Sequence, residues 1–165
     1  MIEAVRTYDK ELVKSIVTNP QIFKAVSDDC IKPSDYEPDV NDQCWLNMRT
    51  KDGCVGVYNY HARNATTLEI HAHVLPEHRL KWARYTGWAA LEWALSCAPS
   101  NYSKIVVSIP SVYPKVVNFT SKFGFQHEGV NRLCDRVDGV LCDQIMLGIT
   151  FDEIKTNLGG FYAKS

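Results

Sequence analysis

Polar and apolar residues alternate in IEAVRTY, which predicts an opening strand, and then fall at helical spacing through DKELVKSIVTNPQIFKAVSDD with a break at Asn19-Pro20, which predicts two short helices. The next segment, CIKPSDYEPDVND, is rich in Pro, Asp and Ser and carries little apolar pattern; it reads as a surface loop placed to act as a substrate-facing lid. Three strand-like runs follow, CWLNMRT, CVGVYNYHAR and TTLEIHAHVL, divided by turns at Lys51-Asp52-Gly53 and Asn64-Ala65, as in an antiparallel meander. From Glu77 to about Ala98 the residues Leu80, Ala83, Gly87, Leu91, Ala94 and Ala98 recur at three- and four-residue steps and predict one buried face of a long helix. KIVVSIP is short and apolar on both sides, as a central strand would be. VYPKVVNFTSKF predicts a helix entered at Pro114 and ended by Gly124. Two last strands flank Asp138-Gly139, a type I′ hairpin signal, and the end of the chain reads as a helical turn followed by a loose tail. The predicted order is β, α, α, β, β, β, α, β, α, β, β: one mixed α/β domain over residues 1–155, with a loose tail over 156–165.

Length and charge narrow what such a domain does. A chain of 165 residues is about one domain. Its 18 Lys plus Arg against 19 Asp plus Glu leave a net charge of -1, which offers no global field for nucleic acid or an anionic membrane. No stretch approaches a membrane span, and the N-terminus has no apolar signal core. The six cysteines (Cys30, Cys44, Cys54, Cys97, Cys134, Cys142) show no CxxC spacing and read as free thiols of a cytoplasmic protein. Cys134 and Cys142 flank the Asp138-Gly139 turn symmetrically, as residues opposite each other in a hairpin would. Trp45, Trp82, Trp88 and Trp93 read as packing material.

Two local features carry candidate chemistry. RLKWARYTGW crowds three cations, Arg79, Lys81 and Arg84, into the start of the long helix, where free N–H groups and the helix dipole favour an anion. The alternative is a solvated basic face. Glu69, His71 and His73 alternate along one strand and so share one side of it. They read either as a polar strand surface or as a general base for a reaction that needs a neutral amine. With no third ligand cluster in view, a metal site is not expected.

The element order, together with VVSIP, VVNFTSK and FGFQHEGV, resembles the GCN5-related N-acetyltransferase (GNAT) family over nearly the whole chain. Lys122-Phe123-Gly124-Phe125 followed by Gly129 is similar to the family's K-x-G-F-x-x-x-G ending, and Val74-Leu75-Pro76-Glu77-His78-Arg79 to its fourth-strand exit. The resemblance implies a central mixed, mostly antiparallel sheet of six to seven strands with about four helices, and acetyl-CoA as coenzyme. It implies backbone contacts at Val74, Leu75 and Ile109 along the pantetheine, and Arg79, Lys81, Trp82, Ala83 and Arg84 at the pyrophosphate. Trp82 and Arg84 stand where the family's loop carries small residues, so the phosphates would be held by side chains. Thr120 stands where many members carry a tyrosine acid, leaving Thr120 or Tyr113 near the sulfur, with Glu69 or His71 as base. The tryptophan-rich helix is also similar to GNAT-like proteins encoded by tailed bacteriophages, some labelled head-assembly proteins. That likeness implies a second function class: an interaction protein without turnover, in a bacterial host's cytoplasm, with a phage structural protein as partner.

Overall fold

Among the described residues, seven strands and five α-helices follow one another as β1 (Glu3–Thr7), α1 (Lys10–Val17), α2 (Pro20–Val26), β2 (Cys44–Thr50), β3 (Gly53–Ala62), β4 (Thr67–Val74), α3 (Arg79–Cys97), β5 (Lys104–Pro110), α4 (Pro114–Ser121), β6 (Gln126–Val137), β7 (Val140–Thr150) and α5 (Phe151–Tyr162). This computed structural model describes residues 1–26, 29 and 31–163, so Cys30 and the last two residues of the expected tail lie outside the described residues. The strands form one mixed sheet in the order β1-β2-β3-β4-β5-β7-β6. The expected α/β architecture is present. The chain's Cα atoms group into two units, Met1–His61 with His71–Ala90, and Ala62–Ile70 with the chain from Leu91 onward.

The first unit is built on β1, β2 and β3. Asp9 starts α1 by accepting the Leu12 N–H at 2.9 Å, an N-cap contact worth about 1 kcal/mol. Val13, Ile16 and Val17 of α1 and Ile22 and Phe23 of α2 then pack with Trp45 and Val57 of the sheet. The pairings Leu46↔Tyr58 and Cys44↔Tyr60 belong to the opposite side of these strands. There the Tyr58 hydroxyl meets Thr86 Oγ1 at 3.1 Å and the Tyr60 hydroxyl donates to the Ala90 carbonyl at 3.0 Å, tying the first half of α3 to β3. Burial pushes the Tyr58 hydroxyl up to about 12 and the Tyr60 hydroxyl well above its ordinary value, so both serve as neutral hydrogen-bonding groups. In the preceding loop, Glu37 accepts from Lys10 and Lys14 of α1, and these two ammonium groups hold its carboxyl down to about 2. The expected lid segment is thereby clasped to α1.

The second unit centres on β5, whose neighbours are the start of β4, parallel through Thr67↔Lys104 to Glu69↔Val106, and β7, antiparallel along its whole length. Ile105, Ile109, Leu147 and Ile149 form its buried centre. Gly124 adopts φ +94° just after α4, in the predicted C-terminal role, and Asp138 and Gly139 both have positive φ, as a type I′ turn requires.

Four sequence expectations need correction. The tail is not loose from residue 156: α5 runs to Tyr162, started by a reciprocal Thr150–Glu153 capping box and buried through Ile154, Leu158 and Phe161. Leu80 does not belong to a buried stripe and is fully exposed, while Thr86, Ala90 and Ala94 are the fully buried residues at four-residue steps in α3. Cys134 and Cys142 are not opposite each other, because Cys134 lies four residues before the Asp138-Gly139 turn and Cys142 only three after it, so the hairpin pairs Cys142 with Asp135. His73 is not a surface residue of β4; it is buried. Cys54, Cys97, Cys134 and Cys142 are free thiols.

Candidate functional site

β4 pairs with β5 through Thr67–Glu69 and Lys104–Val106 and runs on to Val74. Past that point β4 is held from β3: the Leu75 N–H donates to the Val55 carbonyl at 3.0 Å. Gly56 of β3 lets the strands close, since a Cβ there would lie 2.5 Å from the His73 carbonyl oxygen and 2.8 Å from the Val74 Cα. Val74 is buried and Leu75 half-buried.

A 3₁₀ turn over Pro76–His78 leads without a break into α3, the His78 N–H bonding the Leu75 carbonyl and the Arg79 N–H the Pro76 carbonyl. Trp82, Ala83 and Arg84 therefore lie within a helix, not in an open loop. The first turn of α3 has no acidic residue and carries Arg79 and Lys81, a charge pattern that the dipole of an isolated helix disfavours and a bound anion would reverse. The Arg79 guanidinium is partly committed, donating from Nε to the Val74 carbonyl at 3.1 Å and from Nη2 to the Gln21 carbonyl at 3.4 Å. Lys81 Nζ sits 4.8 Å from the centre of the Trp82 ring, a cation–π contact. Trp82 is half-buried and meets Tyr85 edge-on at 5.9 Å, Ala83 gives its carbonyl to the Thr86 hydroxyl, and Arg84 is exposed.

The three alternating residues of β4 have different surroundings. Glu69 is mostly buried and pairs with Arg63 at 3.4 Å. The His71 ring stacks on His61 with centroids 5.2 Å and planes 12° apart. His73 stacks on Trp45 at 5.8 Å, and its buried Nδ1 has no hydrogen-bond partner. Burial pulls the His73 imidazole down to about 3, so it is neutral in all ordinary conditions. Sequence reasoning missed His61 and its neighbours Asn59 and Gln43. The signal was present: Asn59 and His61 alternate at the end of β3 as His71 and His73 do in the adjacent strand, across the Asn64-Ala65 turn.

The remaining candidates lie in the second unit. Ile109 is buried and opposes Ile145 of β7. Tyr113 precedes α4, where its carbonyl accepts the Val116 N–H at 2.9 Å. Thr120 sits in the last turn of α4, half-buried, its carbonyl accepting the Phe123 N–H at 3.0 Å. Seven positions along α4 place their backbones roughly 10 Å apart. Among the described residues no three His, Cys, Asp or Glu side chains cluster as metal ligands, and no helix is long and apolar enough to cross a membrane.

No protein-family model and no curated protein matches the chain. Solved structures do. It is similar to the spermidine N-acetyltransferase from Vibrio cholerae in complex with CoA and spermine, with 19% identity and a TM-score of 0.76 over 94% of this chain and 97% of that one. Mutant forms of the spermidine/spermine N-acetyltransferase SpeG from Vibrio cholerae match at 16% identity and a TM-score of 0.76, over 94% of this chain and 96% of theirs. A structure provisionally described as an acetyltransferase matches at 13% identity and a TM-score of 0.69, over 95% of this chain and 87% of that one. With its seven-stranded mixed sheet and five helices in this order, the chain has the GNAT acetyltransferase fold.

Proposed function

We propose that the chain is an acyl-CoA-dependent N-acetyltransferase that moves acetyl from acetyl-CoA to an amine of a protein or small molecule. The observation that carries this is the delivery of the chain from the end of β4, through Val74 and the Pro76–His78 turn, directly into a basic helix start. Backbone groups of Val74 and Leu75 would line the pantetheine. Arg79, which also donates from Nε to the Val74 carbonyl, joins Lys81, Trp82, Ala83 and Arg84 in offering cations and backbone to the pyrophosphate. Acetyl-CoA supplies the thioester. The acceptor must lose a proton before its lone pair attacks, a task for Glu69 or His71, and the departing thiolate is protonated by Tyr113, Thr120 or water.

The solved relative that holds CoA and spermine makes a polyamine the first acceptor to test. In an assay of thiol release, purified protein with acetyl-CoA should turn over spermidine or a lysine-containing peptide and yield the N-acetyl product by mass spectrometry. Hydrolysis at the same rate without any amine would contradict an amine acceptor. A second reading is favoured by the helical Trp82 and Arg84 and by Thr120 at the tyrosine position: an interaction protein of the same fold, such as a phage head-assembly factor with a virion or scaffold partner. That protein would bind no coenzyme.

A further inference from the structure

Arg79 stands where three elements meet. From the first position of α3 its Nε donates to the Val74 carbonyl at 3.1 Å, at the end of β4, and its Nη2 donates to the Gln21 carbonyl at 3.4 Å, in the first turn of α2. A guanidinium has more N–H groups than two carbonyls use, and among the described residues Arg79 has no carboxylate partner. Its remaining N–H groups can therefore take an anion at the helix start while the others hold Val74 and Gln21. The helix at the far end of this strut is itself a link. Ile22 and Phe23 of α2 are buried in one cluster with Val13, Trp45 and Val57, and Leu75 of the strand exit and Tyr36 pack against that cluster. Phe23 meets the Tyr36 ring edge-on at 6.2 Å, and the next residue, Glu37, accepts from Lys10 and Lys14 of α1.

We propose that Arg79 couples coenzyme binding to α2. A pyrophosphate on the guanidinium firms its hold on the Gln21 carbonyl, and through Phe23 and Tyr36 that hold steadies the loop clasped to α1. The coupling rests on the pyrophosphate reading above. Its physical cause is a shared loss of freedom. Arg79 is exposed and its contact with Gln21 is long, and ordering so flexible a side chain opposes both interactions when each is made alone. A bound phosphate immobilises the side chain, and the carbonyl contacts then form at little further loss of freedom. By reciprocity, an ordered α2 favours the coenzyme by the same factor. Arg79 is thus a positioning residue for α2 as well as a phosphate ligand. Lysine cannot replace it in both roles, because an ammonium is a point charge without the planar fork.

Amide hydrogen exchange on the full chain tests this, with calorimetry alongside to establish loading. With saturating acetyl-CoA the amides of residues 22–26 in α2 should exchange about fivefold or more slowly than without it, with the amides of α5 as the reference. Arg79→Lys keeps the charge and should still load, but its α2 amides should slow by less than about twofold. Without coenzyme, the α2 amides of Arg79→Lys should exchange faster than those of the native protein, and equal rates there overturn the strut whatever the coenzyme does. Native α2 amides that do not slow in a protein that calorimetry shows to be loaded overturn the coupling and leave the pyrophosphate site standing. An equal slowing in loaded Arg79→Lys overturns the role of the guanidinium. No binding of acetyl-CoA by the native protein overturns the pyrophosphate reading and the coupling with it.

Discussion

Gly56→Ala should lower stability by about 3 kcal/mol and the melting temperature by roughly 10 °C. The new Cβ would meet the His73 carbonyl oxygen at 2.5 Å and the Val74 Cα at 2.8 Å. Both are backbone atoms, so no rotamer change relieves the clash and β4 itself must move. The displaced segment bears the Val74 carbonyl that Arg79 Nε grips at 3.1 Å, so acetyl-CoA affinity should fall even well below the melting point. The same substitution at Gly159, within α5 and with nothing within 4 Å of the added carbon, should be neutral or stabilising by up to about 1 kcal/mol. Equal melting temperatures for the two variants would contradict the close approach of β3 and β4.

Between pH 7.5 and 5 the protein should lose about 2 kcal/mol of stability through His73 alone. An unfolded histidine takes up its proton near 6.5, whereas burial holds the folded His73 down to about 3. Across that interval the unfolded state binds more protons, so this contribution is complete above pH 6.5 and is lost progressively as pH falls toward 3. His73→Phe keeps an aromatic ring against Trp45 and removes the unpartnered Nδ1. Urea unfolding at several pH values should then be nearly flat from pH 7.5 to 5. Below that, Glu37, held down to about 2 by Lys10 and Lys14, adds acid sensitivity of its own in both proteins. Parallel stability curves for the native protein and His73→Phe down to pH 5 would contradict the buried, neutral histidine.

Local signals carried most of the fold. Pro114, Gly124 and the Asp138-Gly139 turn act through the φ angles of single residues, and the strands and helices of the middle of the chain declare themselves by period. Where reading failed, a local cue was outweighed or a partner lay far away in sequence. Gly159-Gly160 masked α5, although Thr150 and Glu153 spelled its capping box and Ile154, Leu158 and Phe161 its buried stripe. Alternation placed Glu69, His71 and His73 together, but only tertiary structure separates them, through Arg63, His61 and Trp45 respectively. The cations of RLKWARYTGW were legible as a basic helix start. The commitment of Arg79 to the carbonyls of Val74 and Gln21 was not, because Gln21 lies in α2, far away along the chain.

The basic start of α3 as a pyrophosphate site is the central claim, and calorimetric titration with acetyl-CoA tests it most directly. Free CoA and a nucleotide of equal charge that lacks pantetheine serve as controls. The expected result is saturable binding in the micromolar range, weakened at least tenfold by Arg79→Ala or Arg84→Ala, a loss of about 1.4 kcal/mol or more. No heat at millimolar acetyl-CoA, or equal affinity in both variants, would contradict it and leave the interaction-protein reading in its place.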